Sequence, residues 1–384
     1  MRRLDNIAGA LFCAICLMSV RVTQAVDVYE TMDVVRAAAV YLVFGQVVGG
    51  PLDGSWAGEE AHTGSIVAGL AKAHELTGDE DARIAAVRGG DFILRASEGN
   101  YYGDEAYALM CLSRIAPDGV PNIWRSALDD FYRNVSQSAR GGTLGYTSQY
   151  SRFDPSLAAF YLAQYVVAAF YVDAEDKELW REALVDCLVQ VDDEAAEFPV
   201  MALGIATWAL SEIDRLDGVV LDPYAQGVPY WRGHTFAELP ELLLTHRILD
   251  GRLAGSFYWR FDHRMAVPGG PAGGYTEESA SSALGLAAAL RVTEDPEVAL
   301  ASEQLHDLLL QSVEDDGRIR QHLTLGGQAF YSEAGRVLQA LADRANADGA
   351  EGEEQAADGD QIVLSTHVEP DGWAVQGAVV PREF

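Results

Sequence analysis

Lysine is almost missing from this 384-residue chain: Lys72 and Lys177 are the only two, which leaves 25 of the 27 basic residues as arginine. Basic charge of either kind is scarce, since 58 acidic residues bring the net to −31. A surface of that sign repels nucleic acid and anionic membranes and argues against both as partners; an anionic polysaccharide would need a local cluster of Arg or His. Cysteine is nearly absent too. Cys13 and Cys16 fall at the very start, and Cys111 and Cys187 sit in apolar helical stretches, where two buried thiols and a helix-to-helix disulfide both fit. No CxxC pair, metal-ligand spacing, phosphate-binding glycine loop, nucleophile elbow or dinucleotide fingerprint occurs, so no metal or cofactor is expected.

The chain opens on an apolar run from Ile7 to Val20. That run follows Arg2-Arg3 and precedes Thr23-Gln24-Ala25, with small residues where a signal peptidase reads. It is too short to span a bilayer and reads as a secretory signal peptide over residues 1–25, cleaved near Ala25. Neither Cys13 nor Cys16 follows a lipobox. The mature chain is therefore expected to be exported without membrane insertion. It would carry 24 basic and 57 acidic residues, a net of 24 − 57 = −33.

What is present is helical periodicity. From Asp27 the chain alternates two kinds of helix. Amphipathic ones are expected at about 30–46, 80–97, 121–137, 175–189, 236–249 and 296–313. Small, aliphatic, all-round apolar ones are expected at about 59–76, 103–115, 154–173, 197–213, 276–291 and 328–343, and such helices are buried on every side. That makes six hairpins, each an outer helix followed by an inner one. His74 to Glu80 links one pair tightly, with Gly78 closing one helix and Asp79 capping the next; Asp295-Pro296 opens another. No strand is expected before residue 360. Residues 344–360 read as an acidic disordered linker and 361–384 as a short β-type tail.

The loops entering the inner helices share a glycine-aromatic-acid pattern: Gly54-Ser55-Trp56 before Glu59-Glu60, Tyr102-Gly103-Asp104-Glu105, and Gly273-Gly274-Tyr275 before Glu277-Glu278. Gly145-Tyr146 before Asp154, and Gly326-Gly327 before Tyr331 and Glu333, repeat it. With GLAKAHELTGDEDARIAAVRGGDFIL at 69–94, these hairpins make the chain resemble the (α/α)6 toroid proteins. The LAKAHELTGD style resembles six-hairpin glycosidases with their related polysaccharide lyases and sugar epimerases. YLVFGQVVGGPLDGSW at 41–56 and LLLQSVEDDGRI at 308–319 resemble the repeats of squalene cyclases and prenyltransferases. The DxDD acid of hopene cyclases and the zinc-binding set of prenyltransferases have no counterpart in this chain.

The resemblance implies an all-α (α/α)6 toroid over residues 26–343 whose inner-helix ends surround one funnel. Paired carboxylates with flat aromatics there are what glycosidic cleavage asks for. Glu277, Asp104 and Glu59 are the leading catalytic candidates, with Trp56, Tyr102, Tyr275 and Glu278 for binding. Each acid is equally at home as a helix cap. The long interval 214–275 adds two Tyr-Trp-Arg triplets with a histidine close behind. Trp231, Arg232 and His234 form one set, Trp259, Arg260 and His263 the other. These suit a uronate, Arg meeting the carboxylate and His the proton of a β-elimination. The expected function is cleavage of a poly- or oligosaccharide, with hydrolysis ahead of elimination. The alternatives are a cyclase-like toroid for an apolar or protein partner, and an exported binding protein without chemistry.

Overall fold

The computed structural model describes residues 28–266 and 270–358, with side chains through residue 347. The expected leader, at 1–25, and the tail, at 361–384, lie outside the described residues. Six inner helices carry the core: α2 (Thr63–Thr77), α4 (Gly103–Arg114), α7 (Pro155–Tyr171), α9 (Pro199–Glu212), α11 (Thr276–Ala289) and α13 (Tyr331–Asp358). Each packs on the next in that order, and α13 packs back on α2, so the ring closes. Outside it lie α1 (Val28–Gly45), α3 (Glu80–Ser97), α5 (Ile123–Asp130), α8 (Lys177–Leu188) and α12 (Pro296–Ser312). Two short helices, α6 (Gly142–Thr147) and α10 (Leu239–Leu244), complete the set.

The ring closes because the inner helices are lined with residues small enough for backbones to touch. A Cβ added at Gly69 would stand 2.2 Å from the Gly335 carbonyl oxygen, and one at Gly64 would stand 2.4 Å from the Asp104 carbonyl carbon. Gly103 meets the Tyr161 carbonyl, and Gly204 meets Ser281 and Gly285, in the same way. At four of the six seams, then, a glycine sets the approach. Toward the far end of the ring, Lys72 and Asp343 join α2 to α13 at 2.8 Å, with Glu75 3.4 Å from the same ammonium.

The expected caps are in place. Gly78 ends α2 at φ 68°, and the Asp79 and Asp295 side chains accept from the N–H groups of Asp81 and Glu297 at 2.9 and 2.8 Å. Elsewhere the chain departs from its periodicity. The third outer helix breaks into a π turn at Phe131–Val135, which carries Phe131 and Tyr132 together into the core. The fifth, expected at 236–249, is a 3-10 turn at Phe236–Glu238 leading into Leu239–Leu244, after which Arg247 and Ile248 pair with Phe257 and Ser256 and leave the helix. The final helix runs through Asp358 and so covers most of the stretch read above as a linker.

One expectation is corrected. A two-stranded antiparallel ribbon, β1 (Arg320–His322) and β2 (Gly326–Gln328), precedes residue 360. Its strands have no β-forming run to announce them; the positive φ of Gly326 and Gly327 turns the chain, and Leu323 N–H bonding to the Gly274 carbonyl holds it. Among the described residues both cysteines are free, Cys187 donating to the Pro155 carbonyl at 3.2 Å, and no helix is long and apolar enough to cross a membrane.

Candidate active site

Antiparallel outer helices return the chain each time, so all six inner helices start at the same end of the ring. Unpaired N–H groups and aligned dipoles make that end favourable for carboxylates, and every entry loop supplies one or more. The structure sorts these acids by what each touches.

Several of them hold backbone. Both oxygens of Glu59 are taken by the N–H groups of Tyr331 and Ser332, at 2.7 and 2.8 Å, so it caps α13 across the closing seam. Glu60 accepts from Gly58 N–H at 3.1 Å. Glu105 accepts from Tyr102 N–H and the Ser97 hydroxyl at 2.8 and 2.7 Å. Asp154 caps α7 through Ser156 N–H and tethers Glu197 N–H, each at 2.8 Å.

A second group gathers around an arginine. Glu277 on α11 meets Arg336 on α13 at 2.6 Å, and its side chain keeps 29% of its surface accessible against 8% for the arginine. The Arg336 guanidinium also lies 4.2 Å over the ring of Phe160 on α7 and 3.9 Å from the Met201 sulfur on α9. Four inner helices thus meet on one cation. Glu278 and Glu333 flank the pair. Burial raises Glu278, and the charge of Glu277 raises it further; one of its oxygens has no hydrogen-bond partner. Glu333 is pushed up to about 7 by burial and then by Glu277, against the pull of Phe330 N–H and Arg336.

Asp104 stands on α4 and is 1% exposed. Burial, with Glu105 adding, pushes it up to about 7. The N–H groups of Ser65, Asp104 and Glu105 pull the other way, yet neither carboxyl oxygen has a hydrogen bond of normal geometry. Tyr161 couples the two sides: its hydroxyl is raised by burial and then by Asp104, and is lowered by Arg336. Beneath the floor the ring is filled. Ser65, Phe160, Gln164, Ile205, Trp208, Arg336 and Gln339 leave a cavity of about 10 Å³, room for one water at most. At that depth the ring is closed.

The aromatics expected to bind sugar divide likewise. Trp56 and Trp231 are fully buried, their indole N–H groups bonded to the carbonyls of Leu42 and Val191 at 2.8 and 2.9 Å. Tyr102 is 46% exposed beside Tyr161, with ring centroids 5.9 Å apart. Trp259 lies between Phe198 and Tyr275, at 6.0 and 6.4 Å, on the rim between the entries to α9 and α11. Arg260 stacks on Trp259 and gives its guanidinium to the carbonyls of Asp193 and Ala196 at 2.7 and 2.9 Å. Arg232 is exposed. His234 pairs with Glu238 at 3.1 Å.

His263 does not stand alone. Its Nε2 shares a hydrogen bond with His246 Nδ1 at 3.1 Å, and His246 Nε2 meets the Tyr230 hydroxyl at 2.9 Å. Burial, then His263, pushes His246 down to about 3, so the inner ring stays neutral. His246, Tyr161 and Arg336 were not singled out from sequence. Arg336 was discernible: it follows Glu333 by three residues, one helical turn along the same face.

No known protein family matches the sequence, and no curated protein does. Among solved structures, the fold is similar to a glycosyl hydrolase family 88 protein from Bacteroides vulgatus, at TM-score 0.54 and 15% identity, over 83% of this chain and 99% of that one. It is also similar to an unsaturated glucuronyl hydrolase specific for heparin, at TM-score 0.53 and 11% identity, over 83% and 97% of the two chains. At such identities the likeness is one of fold: the chain has the six-hairpin (α/α)6 toroid architecture.

Proposed function

We propose that this protein hydrolyses glycosidic bonds at the floor of the funnel, with Glu277 and Glu333 as the working carboxyls. The observation that carries the reading is the Glu277–Arg336 pair with Glu333 beside it, the first solvent-accessible and the last with its carboxyl pushed up to about 7. A glycosidase needs one carboxyl to protonate the departing oxygen and a second to activate water or attack the sugar. Glu333, at about 7, suits the acid role near neutral pH. Glu277, oriented by Arg336, suits the second. Tyr102 offers a flat apolar face at the mouth, and the fold shared with a glycosyl hydrolase family 88 protein agrees with this chemistry. Export through the N-terminal leader belongs to the same reading, and a mature protein starting just after Ala25 would bear it out.

The test is turnover of oligosaccharides, followed by new reducing ends. Glu277→Gln is expected to lower kcat by roughly a hundredfold to ten-thousandfold, the range of a lost general base or nucleophile. Glu333→Gln should slow natural oligosaccharides strongly and nitrophenyl glycosides little, because a nitrophenolate leaves without a proton. Equal losses on both substrates would remove Glu333 from the acid role.

A further inference from the structure

We infer that the sugar unit seated on the funnel floor carries no carboxylate, so that the site takes neutral hexosides or amino-sugar glycosides and turns uronates away. This rests on the hydrolase reading and narrows its substrate. A uronate needs a cation free to receive it. Among the described residues, the cation beside Glu277, Glu278 and Glu333 is Arg336, and it is spent. Its guanidinium is bound to Glu277 at 2.6 Å and lies over the Phe160 ring at 4.2 Å. If a uronate drew Arg336 away, Glu277 would be left among two more acids without a counter-charge, which is strongly unfavourable in a buried site.

Arg260, the best-placed arginine of the 214–275 loop, is committed to two backbone carbonyls. The acids Glu278 and Glu333 beside the Glu277–Arg336 pair attract an ammonium and, once ionised, repel a carboxylate. The chain's net charge of −31 adds long-range repulsion against a polyuronate. Protonated floor acids soften the exclusion at low pH, so discrimination should widen as pH rises and they ionise.

The experiment compares nitrophenyl glucosides, glucosaminides and glucuronides, in both anomers, on the mature protein at and above neutral pH. The glucuronide should be slower than the glucoside on the order of a hundredfold, the effect of a like charge in an enclosed site, with the gap growing as pH rises. The glucosaminide should match or exceed the glucoside. Glu278→Gln, which removes the negative charge that Glu278 acquires only as it ionises above neutrality, should narrow the gap about tenfold at the upper end of the pH range and little at about pH 7. A glucuronide cleaved as fast as the glucoside, or a gap indifferent to Glu278→Gln, overturns the inference and leaves the hydrolase reading standing. If no glycoside is cleaved, the hydrolase reading falls, and calorimetry with methyl glucoside and methyl glucuronide decides the inference. Preference for the glucoside supports it; equal or tighter glucuronide binding, or none by either sugar, overturns it.

Discussion

Asp104 is the residue that the fold treats most harshly. A carboxyl 1% exposed, with both oxygens unsatisfied, is unfavourable to ionise, and its pKa of about 7 against an ordinary 3.8 expresses that. The sign follows from proton binding. Between those values the folded chain holds a proton that the unfolded chain has released, so stability falls as pH rises through the interval. Asp104→Asn should therefore stabilise the protein above neutrality, with a ceiling of about 4 kcal/mol, and change little in mild acid. Thermal melts across pH on the two proteins read this directly. Glu333 sets the matching kinetic limb: turnover of natural substrates should decline as pH passes about 7 and the acid loses its proton. Legibility at this scale followed chain-local pattern. Glu277, Glu278 and Asp104 stood out because each follows glycine and an aromatic. Which acids would cap backbone, as Glu59 does, depended on α13 arriving from 272 residues away.

At the scale of the element, the seams between inner helices control whether the funnel exists. Gly69→Ala would drive a methyl group into the Gly335 carbonyl, and the two helices would have to part. A loss of about 3 kcal/mol is expected in chemical denaturation, the upper range for overpacking. Gly218→Ala, on an exposed loop with nothing within 4 Å, is the control and should move stability by about 0.5 kcal/mol at most. Alternating amphipathic and all-apolar segments disclosed six hairpins because burial on one side and burial on all sides leave different residue patterns. The π turn at Phe131–Val135, the curtailed α10 and the ribbon at Arg320–Gln328 escaped, since each is made by tertiary contact and not by periodicity. The long 214–275 loop was visible as an interruption, but its route was not. Its two tryptophans, which looked alike in sequence as sugar platforms, are both buried, Trp231 bonded to the Val191 carbonyl and Trp259 packed between Phe198 and Tyr275.

For the whole molecule the dominant quantity is the net charge of −31. Self-repulsion of that size opposes compaction, and salt screens it: the screening length drops from about 30 Å at 0.01 M to about 8 Å at physiological strength. The melting temperature should rise by several degrees over that range, whereas a protein stabilised mainly by surface ion pairs would move the other way. The contact of α13 with α2 bears on how the molecule is made. Residues 63–77 appear early in synthesis, and the helix that covers their remaining flank begins only at Tyr331. Until then five hairpins present an unfinished apolar seam at each end. Loop-closure entropy across more than 250 residues must be overcome before the final contact repays it. Folding should consequently be slow and limited by the last step, and the nascent chain should depend on a holdase that shields both open seams until its final hairpin arrives.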